Sequence, residues 1–178
     1  MPNKGFTLIE LVIAIAILGI LLTIAIPSFR ALIINNQIAT QTNDFVSDIA
    51  HARSESVRRN ARISICRSAN GTSCSASTTW ANGWIVWLDS NNDGVINTGE
   101  TILRVHGALA SGITLVATGF NSGTYFQYLP SGIVGGVTGG SPTTAGTFAL
   151  CRSGYFGRTI NFNTTGRVNI TTMTTLCP

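Results

Sequence analysis

The stretch that most constrains this chain is residues 5–27, GFTLIELVIAIAILGILLTIAIP, where Phe6 to Ile26 carry a single ionisable side chain, Glu10. As a helix rising about 1.5 Å per residue, the run reaches roughly 30 Å, the thickness of bilayer hydrocarbon. A membrane-spanning helix over residues 6–27 is therefore expected. A cleaved secretory signal wants a shorter apolar core ending at a small-residue site, whereas this run ends in Pro27-Ser28-Phe29-Arg30 with helical periodicity continuing beyond it. The basic leader Met1-Pro2-Asn3-Lys4 favours a cytoplasmic start with the remaining chain outside. Glu10 needs a reason of its own. A carboxylate in hydrocarbon costs about 2.5 to 3.5 kcal/mol on insertion scales, so it either snorkels to water or meets an opposite charge.

Gly5-Phe6-Thr7-Leu8-Ile9-Glu10 after a short basic leader resembles the class III signal of type IV pilins and type II secretion pseudopilins at every defining position. The resemblance implies that residues 1–5 form a leader, that a prepilin peptidase cleaves between Gly5 and Phe6, and that the new amino terminus at Phe6 is methylated. It implies that Glu10 pairs with the terminal amine of a neighbouring subunit as the chain leaves the membrane for a filament. Burying one charge is offset only when its partner arrives, which favours docked subunits in register. Pro27 matches a proline that bends or locally melts pilin helices.

Composition agrees with a small exported assembly protein. The 178 residues suffice for the helix and one modest domain, and only 10% of them are charged. The net charge of +4 falls to about +3 once Lys4, the only lysine, is removed, which is too weak to establish a nucleic-acid partner. All four cysteines, Cys66, Cys74, Cys151 and Cys177, lie in the part expected outside the cytoplasm, where disulfides form. Of three connectivities, Cys66 with Cys74 and Cys151 with Cys177 is favoured because each joins sequence neighbours. Zinc is disfavoured, since no C-x2-C pair occurs and both histidines are remote.

Past Pro27, apolar Phe29, Ile33, Ile34, Ile38, Phe45, Ile49, Ala52 and Val57 recur at helical spacings, while Asn35, Asn36, Gln41, Thr42, Asn43, Asp44 and Asp48 fill the other face. An amphipathic helix over residues 28–60 should leave the membrane and pack one stripe against a sheet, with these polar residues on its other face. His51 reads as a solvated or edge-packed histidine. Glu55 stands four residues before Arg59, an ordinary helix ion pair.

Residues 61–178 read as a β-rich head, with strands expected over 62–67, 84–88, 101–105, 113–116, 125–129, 147–152, 159–162 and 168–170. Segment 131–146, SGIVGGVTGGSPTTAG, reads as a flexible loop. Trp80, Trp84 and Trp87 invite a ligand-stacking role, but a core role for at least one is favoured. Within the pilin superfamily, ARSESVRRNARISIC (52–66), NGWIVWLDSNNDGVINTGETILRV (82–105) and NFNTTGRVNI (161–170) resemble the minor pilins FimT and FimU and the minor pseudopilin GspH. That resemblance implies an α+β fold, a long N-terminal helix carrying a β-sandwich-like head. Major pilins tend instead to one antiparallel sheet with a terminal disulfide loop.

DSNNDGVINTGE (89–100) satisfies the calcium-loop pattern D-x-[DN]-x-[DN]-G-x5-E. Asp89, Asn91, Asp93, Asn97 and Glu100 offer oxygen ligands and Gly94 the sharp turn. The flanks read as strands, not the two helices of an EF-hand, so a polar hairpin turn is favoured and Ca2+ is the alternative.

Enzyme chemistry finds no support: there is no P-loop, no G-x-S-x-G elbow and no histidine with a serine-carboxylate constellation. The favoured function is a minor pilin of a type IV pilus, held in the bacterial inner membrane with its head in the periplasm and then carried into the filament at or near its tip. Its partners would be the prepilin peptidase and other minor and major pilins. A GspH-like pseudopilin of a type II secretion system is one alternative. The other is a FimT-like DNA-binding subunit, whose C-terminal G-R-x-R element is matched here by Gly166-Arg167-Val168-Asn169, lacking the second arginine. Arg158 and Arg152 would have to restore the basic patch that contacts phosphates, so DNA is a weighed but unfavoured partner.

Overall fold

A computed structural model of the chain describes residues 5–120, 124–135, 146–163 and 165–178. Among the described residues, one α-helix, α1 (Leu8–Arg59), is followed by nine strands and a single 3-10 turn at Trp80–Asn82. The chain divides into two compact units, one ending at Asn36 and the other spanning Gln37–Pro178.

In the first unit every residue from Leu8 to Arg30 is exposed, and the run is long and apolar enough to cross a membrane. Helix α1 continues through Pro27, so the local melting that the resemblance allowed is absent. Proline leaves the carbonyl four residues back without its usual donor. Here that carbonyl is Thr23's; the flanking hydroxyls donate to other carbonyls of the helix, Thr23 Oγ1 to Ile20 (2.7 Å) and Ser28 Oγ to Ile24 (3.1 Å).

The second unit is built from two antiparallel sheets. β1 (Ile63–Arg67), β2 (Trp84–Leu88), β3 (Ile102–His106), β5 (Tyr125–Tyr128) and β6 (Val134–Gly135) form one, in the order β3-β2-β1-β5-β6. β4 (Ile113–Thr118), β7 (Thr147–Arg152), β8 (Phe156–Phe162) and β9 (Val168–Leu176) form the other, in the order β4-β7-β8-β9. The fold is α+β, as expected. Strand β6 was not expected: it occupies part of the segment read as a loop, pairing Val134 with Tyr128 and Gly135 with Gln127. Residues 136–145 of that segment lie outside the described residues.

The core lies where the two sheets and the C-terminal part of α1 meet. Phe45 of α1 touches Trp84 and Phe148 edge-on, both at 4.8 Å between centroids, and Trp80 meets Phe148 at 5.0 Å. Phe126 of the first sheet meets Phe162 of the second at 5.3 Å. Edge-to-face arrays of this kind contribute beyond their buried area. Burial along α1 starts at Ile38 and continues through Phe45, Ile49 and Ala52, whereas Phe29, Ile33 and Val57, expected in the same stripe, are exposed.

Strand β2 is buried on both faces, which period-2 alternation alone does not anticipate. Trp84 and Val86 face the main core, while Ile85 and Trp87 join Cys66 in a second cluster with Cys74, Ile96, Ile102 and Tyr125. All three tryptophans are buried. The disulfide Cys66–Cys74 belongs to that second cluster, and Cys151–Cys177 ties the end of β7 to the C-terminus. These are the two local pairs favoured from sequence.

Candidate functional site

The start of α1 carries a feature that charge reasoning passed over. Thr7-Leu8-Ile9-Glu10 is a capping box, in which a side chain at each end satisfies the backbone N–H of the other. Glu10 N–H donates to Thr7 Oγ1 (3.3 Å), and Glu10 Oε2 accepts from the Thr7 hydroxyl (3.3 Å) and N–H (3.5 Å). The T-x-x-E spacing is visible in the sequence. Glu10 therefore has a local task within its own helix, and its carboxylate stands exposed beside exposed Phe6 and Gly5.

Asp48 corrects the helical-face reading. It is buried, not solvated, because the strand opposite supplies donors that a local pattern cannot reveal. Its Oδ2 accepts from the Trp84 indole N–H (2.9 Å) and its Oδ1 from Arg104 Nη1 (2.7 Å). His106 Nδ1 lies 3.4 Å from Oδ2, and its ring stacks on Trp84 at 4.0 Å. Register explains the convergence: Trp84 faces His106 and Val86 faces Arg104 across β2 and β3, so these side chains share one face of the sheet.

Lower on α1, Glu55 is gripped by Arg58 as well as by the expected Arg59, each at 2.5 Å. Hydrogen bonds from Arg58 first and then Arg59 hold its carboxyl down at about 2.

The loop 89–100 joins β2 to β3. Leu88 N–H donates to the Thr101 carbonyl (2.9 Å) at its base, and Asp89 turns inward. Asp89 Oδ2 accepts from Ser64 Oγ of β1 (2.8 Å) and from Gly94 N–H (3.2 Å). Gly94 has φ +72°, and a Cβ there would fall 2.3 Å from the Tyr125 ring, so glycine is required twice over. Asp93 accepts from Val95 N–H and from the amides of Asn91 and Asn97, and Glu100 accepts from Ser90 and Asn97 N–H. Ile96 anchors the loop in the second cluster.

The three arginines weighed for phosphate contact are strung along the second sheet. Arg152 donates to the Ser111 carbonyl (3.1 Å), and Arg158 to Thr172 Oγ1 (3.0 Å). Arg167 is exposed in the turn before β9. From the pairings Phe162 with Val168 and Arg158 with Thr172, the levels of Arg167 and Arg158 differ by about five residues, roughly 16 Å along the strand. Arg167 instead shares a groove with Arg53 and Tyr128. Arg53 is committed to the Gly132 carbonyl (2.8 Å) and the Thr165 carbonyl (3.0 Å). Gly166 has its own structural reason: its φ is +76°, a Cβ would fall 2.3 Å from the Gly132 carbonyl, and its own carbonyl accepts from the Tyr128 hydroxyl (3.0 Å). Asn169 pairs with Asn161 in the β8–β9 ladder.

Comparison with known proteins matches these features at both ends. The family model described as Type II transport protein GspH matches residues 41–171, and that of the prokaryotic N-terminal methylation motif matches residues 1–26. The pilin-like protein PilA1 of Thermus thermophilus is 29% identical over 108 residues. That match covers 60% of this chain and 61% of PilA1, so the chain spans less than two thirds of the length of this curated relative. The type IV minor pilin FimU of Pseudomonas aeruginosa has a similar structure, with a TM-score of 0.57 at 20% identity, covering 79% of this chain and 96% of FimU. The minor pseudopilin EpsH of the Vibrio cholerae type 2 secretion system gives 0.53 at 10% identity, covering 76% of this chain and 97% of EpsH. Both are likenesses of fold.

Proposed function

The chain belongs to the GspH family of type II transport proteins and begins with the prokaryotic N-terminal methylation motif; from that premise we propose that it is a minor pilin, a structural and priming subunit of a type IV pilus. It is a structural subunit and not an enzyme. It enters the filament through α1 and meets other minor pilins through the β-rich head.

The observation that carries this reading is the exposed apolar run of α1, uninterrupted by charge from Leu11 to Ile26 and preceded by Glu10 inside the matched motif. Such a surface is unstable in water and has two homes, the bilayer core and a bundle of like helices. A prepilin peptidase cleaves after Gly5, and the freed, methylated amine of Phe6 gives an incoming subunit the positive charge that Glu10 of its neighbour lacks. Before assembly the helix lies in the inner membrane with the head in the periplasm; afterward the subunit sits at or near the filament tip.

Mass spectrometry of the chain purified from its own host tests the maturation step, with a mature protein starting at N-methylated Phe6 as the expected result. An intact leader would remove the assignment. Deletion of the gene should lower the number of surface pili and leave protein secretion unchanged. The opposite pattern would give the chain to a secretion machine instead.

A further inference from the structure

We propose that the β2–β3 loop is a calcium site, in which Asp89, Asn91, Asp93, Asn97, Glu100 and the Val95 backbone carbonyl supply the oxygens. The spacing follows the twelve-residue pattern in full, but spacing alone also fits a polar turn. The deciding observation is the state of Asp89. It is 1% exposed, and its carboxylate faces into the loop, where Gly94 N–H bonds Oδ2. The Asn92 N–H approaches the same carboxylate, yet Oδ1 has no hydrogen-bond partner among the described residues.

No arginine or lysine pairs with Asp89 among the described residues, and the charge nearest to it in effect is the like-signed carboxylate of Glu100. A buried carboxylate with an unfilled oxygen and a like-charged neighbour is costly unless a proton neutralises it or a cation completes it, and the loop's further oxygens favour the cation. A turn needing only conformational support would be served as well by asparagine at position 89.

The chemistry selects the ion. The donors are carboxylate, amide and carbonyl oxygens, with neither histidine nor cysteine in the loop, which suits a hard cation. Their number and the loop's glycines at positions 94 and 99 suit calcium, with its six to eight flexible ligands, better than magnesium with its strict octahedron. The setting outside the cytoplasm, where calcium is abundant, rests on the proposed function; the site itself does not.

Among the described residues no three Asp, Glu, His or Cys side chains are already gathered at metal-binding distance. Binding therefore requires Glu100 and Asp93 to close on Asp89 and the Asn91 and Asn97 amides to turn their oxygens inward. That rearrangement lowers affinity, so the expected dissociation constant is about 10⁻⁴ to 10⁻³ M, the range of extracellular modules.

The test uses the full chain in detergent micelles after chelation and dialysis. Tb3+ alone is the first probe, excited through Tyr125, whose ring lies against Gly94. Sensitised emission should saturate at one ion per chain and be displaced by Ca2+ but not by the same concentration of Mg2+. Titration calorimetry with Ca2+ alone should give one site in the stated range. Asp93→Asn and Glu100→Gln alter loop carboxylates outside the buried core, and each should weaken Ca2+ about tenfold or more with an unchanged circular dichroism spectrum. Asp44→Asn, on the exposed face of α1, should change nothing. Absence of saturable Ca2+ binding, or equal binding by the wild-type chain and both loop variants, would overturn the site. Neither result depends on pilus assembly, so loss of the calcium site and loss of the pilin reading are separable.

Discussion

Replacing Asp48 should destabilise the head far more than a helix-surface aspartate would. In Asp48→Ala the Trp84 indole N–H, fully buried, loses its acceptor. A buried donor left unpaired costs about 1–3 kcal/mol. Arg104 loses its ion pair as well, but its side chain is 43% exposed, so solvent screening limits that loss to about 0.5–1 kcal/mol. The expected total is about 1.5–4 kcal/mol, and the range reflects how fully the site can relax.

Two further variants separate the contributions. Asp48→Asn keeps an oxygen for Trp84 and gives up the charge, so it should cost about 1 kcal/mol. Arg104→Met should cost a similar amount in the wild-type background and nothing measurable beside Asp48→Ala, as expected when two groups share one interaction. Urea unfolding of the full chain in detergent micelles at pH 7, followed by near-ultraviolet circular dichroism, reads the change through the buried tryptophans. A cost for Asp48→Ala within about 0.5 kcal/mol of zero, the usual range for surface substitutions, would refute the reasoning. Asp48 would then be a solvated residue after all.

Glu10→Gln keeps an oxygen for the capping box and removes the charge, whereas Glu10→Ala removes both; if the charge serves docking, each should insert in the membrane and incorporate poorly into filaments, and normal incorporation of the glutamine variant would leave the acid only its capping role. Removing Cys66–Cys74 or Cys151–Cys177, which close sequence separations of 8 and 26, should cost about 2.5 and 3.5 kcal/mol on chain-entropy grounds; urea midpoints of the paired alanine variants check the order, and a larger loss from the shorter loop would contradict it. The carboxyl of Glu55 is lowered on folding, so its contribution is present above its ordinary value near 4.5 and is lost as pH falls toward about 2. Glu55→Gln should flatten that acid limb, and an unchanged limb would show that the Arg58 and Arg59 grip does not persist in solution. With Asn169 in place of a second arginine and the remaining arginines spread along the sheet, the chain should bind double-stranded DNA at best at about 10⁻⁴ to 10⁻⁶ M, falling steeply with salt; tight gel-shift binding abolished by Arg167→Gln would reverse this.

The features legible in the sequence are those whose cause is local. The apolar run of α1, the strand cores, the sequence-neighbour disulfides and the T-x-x-E cap all depend on residues within a few positions or within one element. Asp48 was misread because its partners, Trp84 and Arg104, lie 36 and 56 residues away, and helical periodicity cannot say which polar residue will meet a donor on a distant strand. Strand β6 was missed for a related reason. Two residues in a glycine-rich segment have little strand propensity of their own, and they become a strand by lying against Tyr128 and Gln127. The converse holds for Phe29, Ile33 and Val57, whose spacing is right for a core stripe but which remain exposed.

The β2–β3 loop combines the two kinds of cause. Its ligand spacing is local and legible in the sequence, yet spacing does not decide between a turn and a cation site, because asparagine, aspartate and glycine serve both. What bears on that choice is non-local: Ser64, 25 residues back on β1, bonds Asp89 Oδ2 in the interior, and Tyr125 closes over Gly94 from a strand outside the hairpin. Once the first carboxylate of the pattern is fixed in the interior with one oxygen unfilled, the loop differs from a solvated turn in the energetic term that a cation would relieve. The same pattern with Asp89 in solvent would carry no such argument.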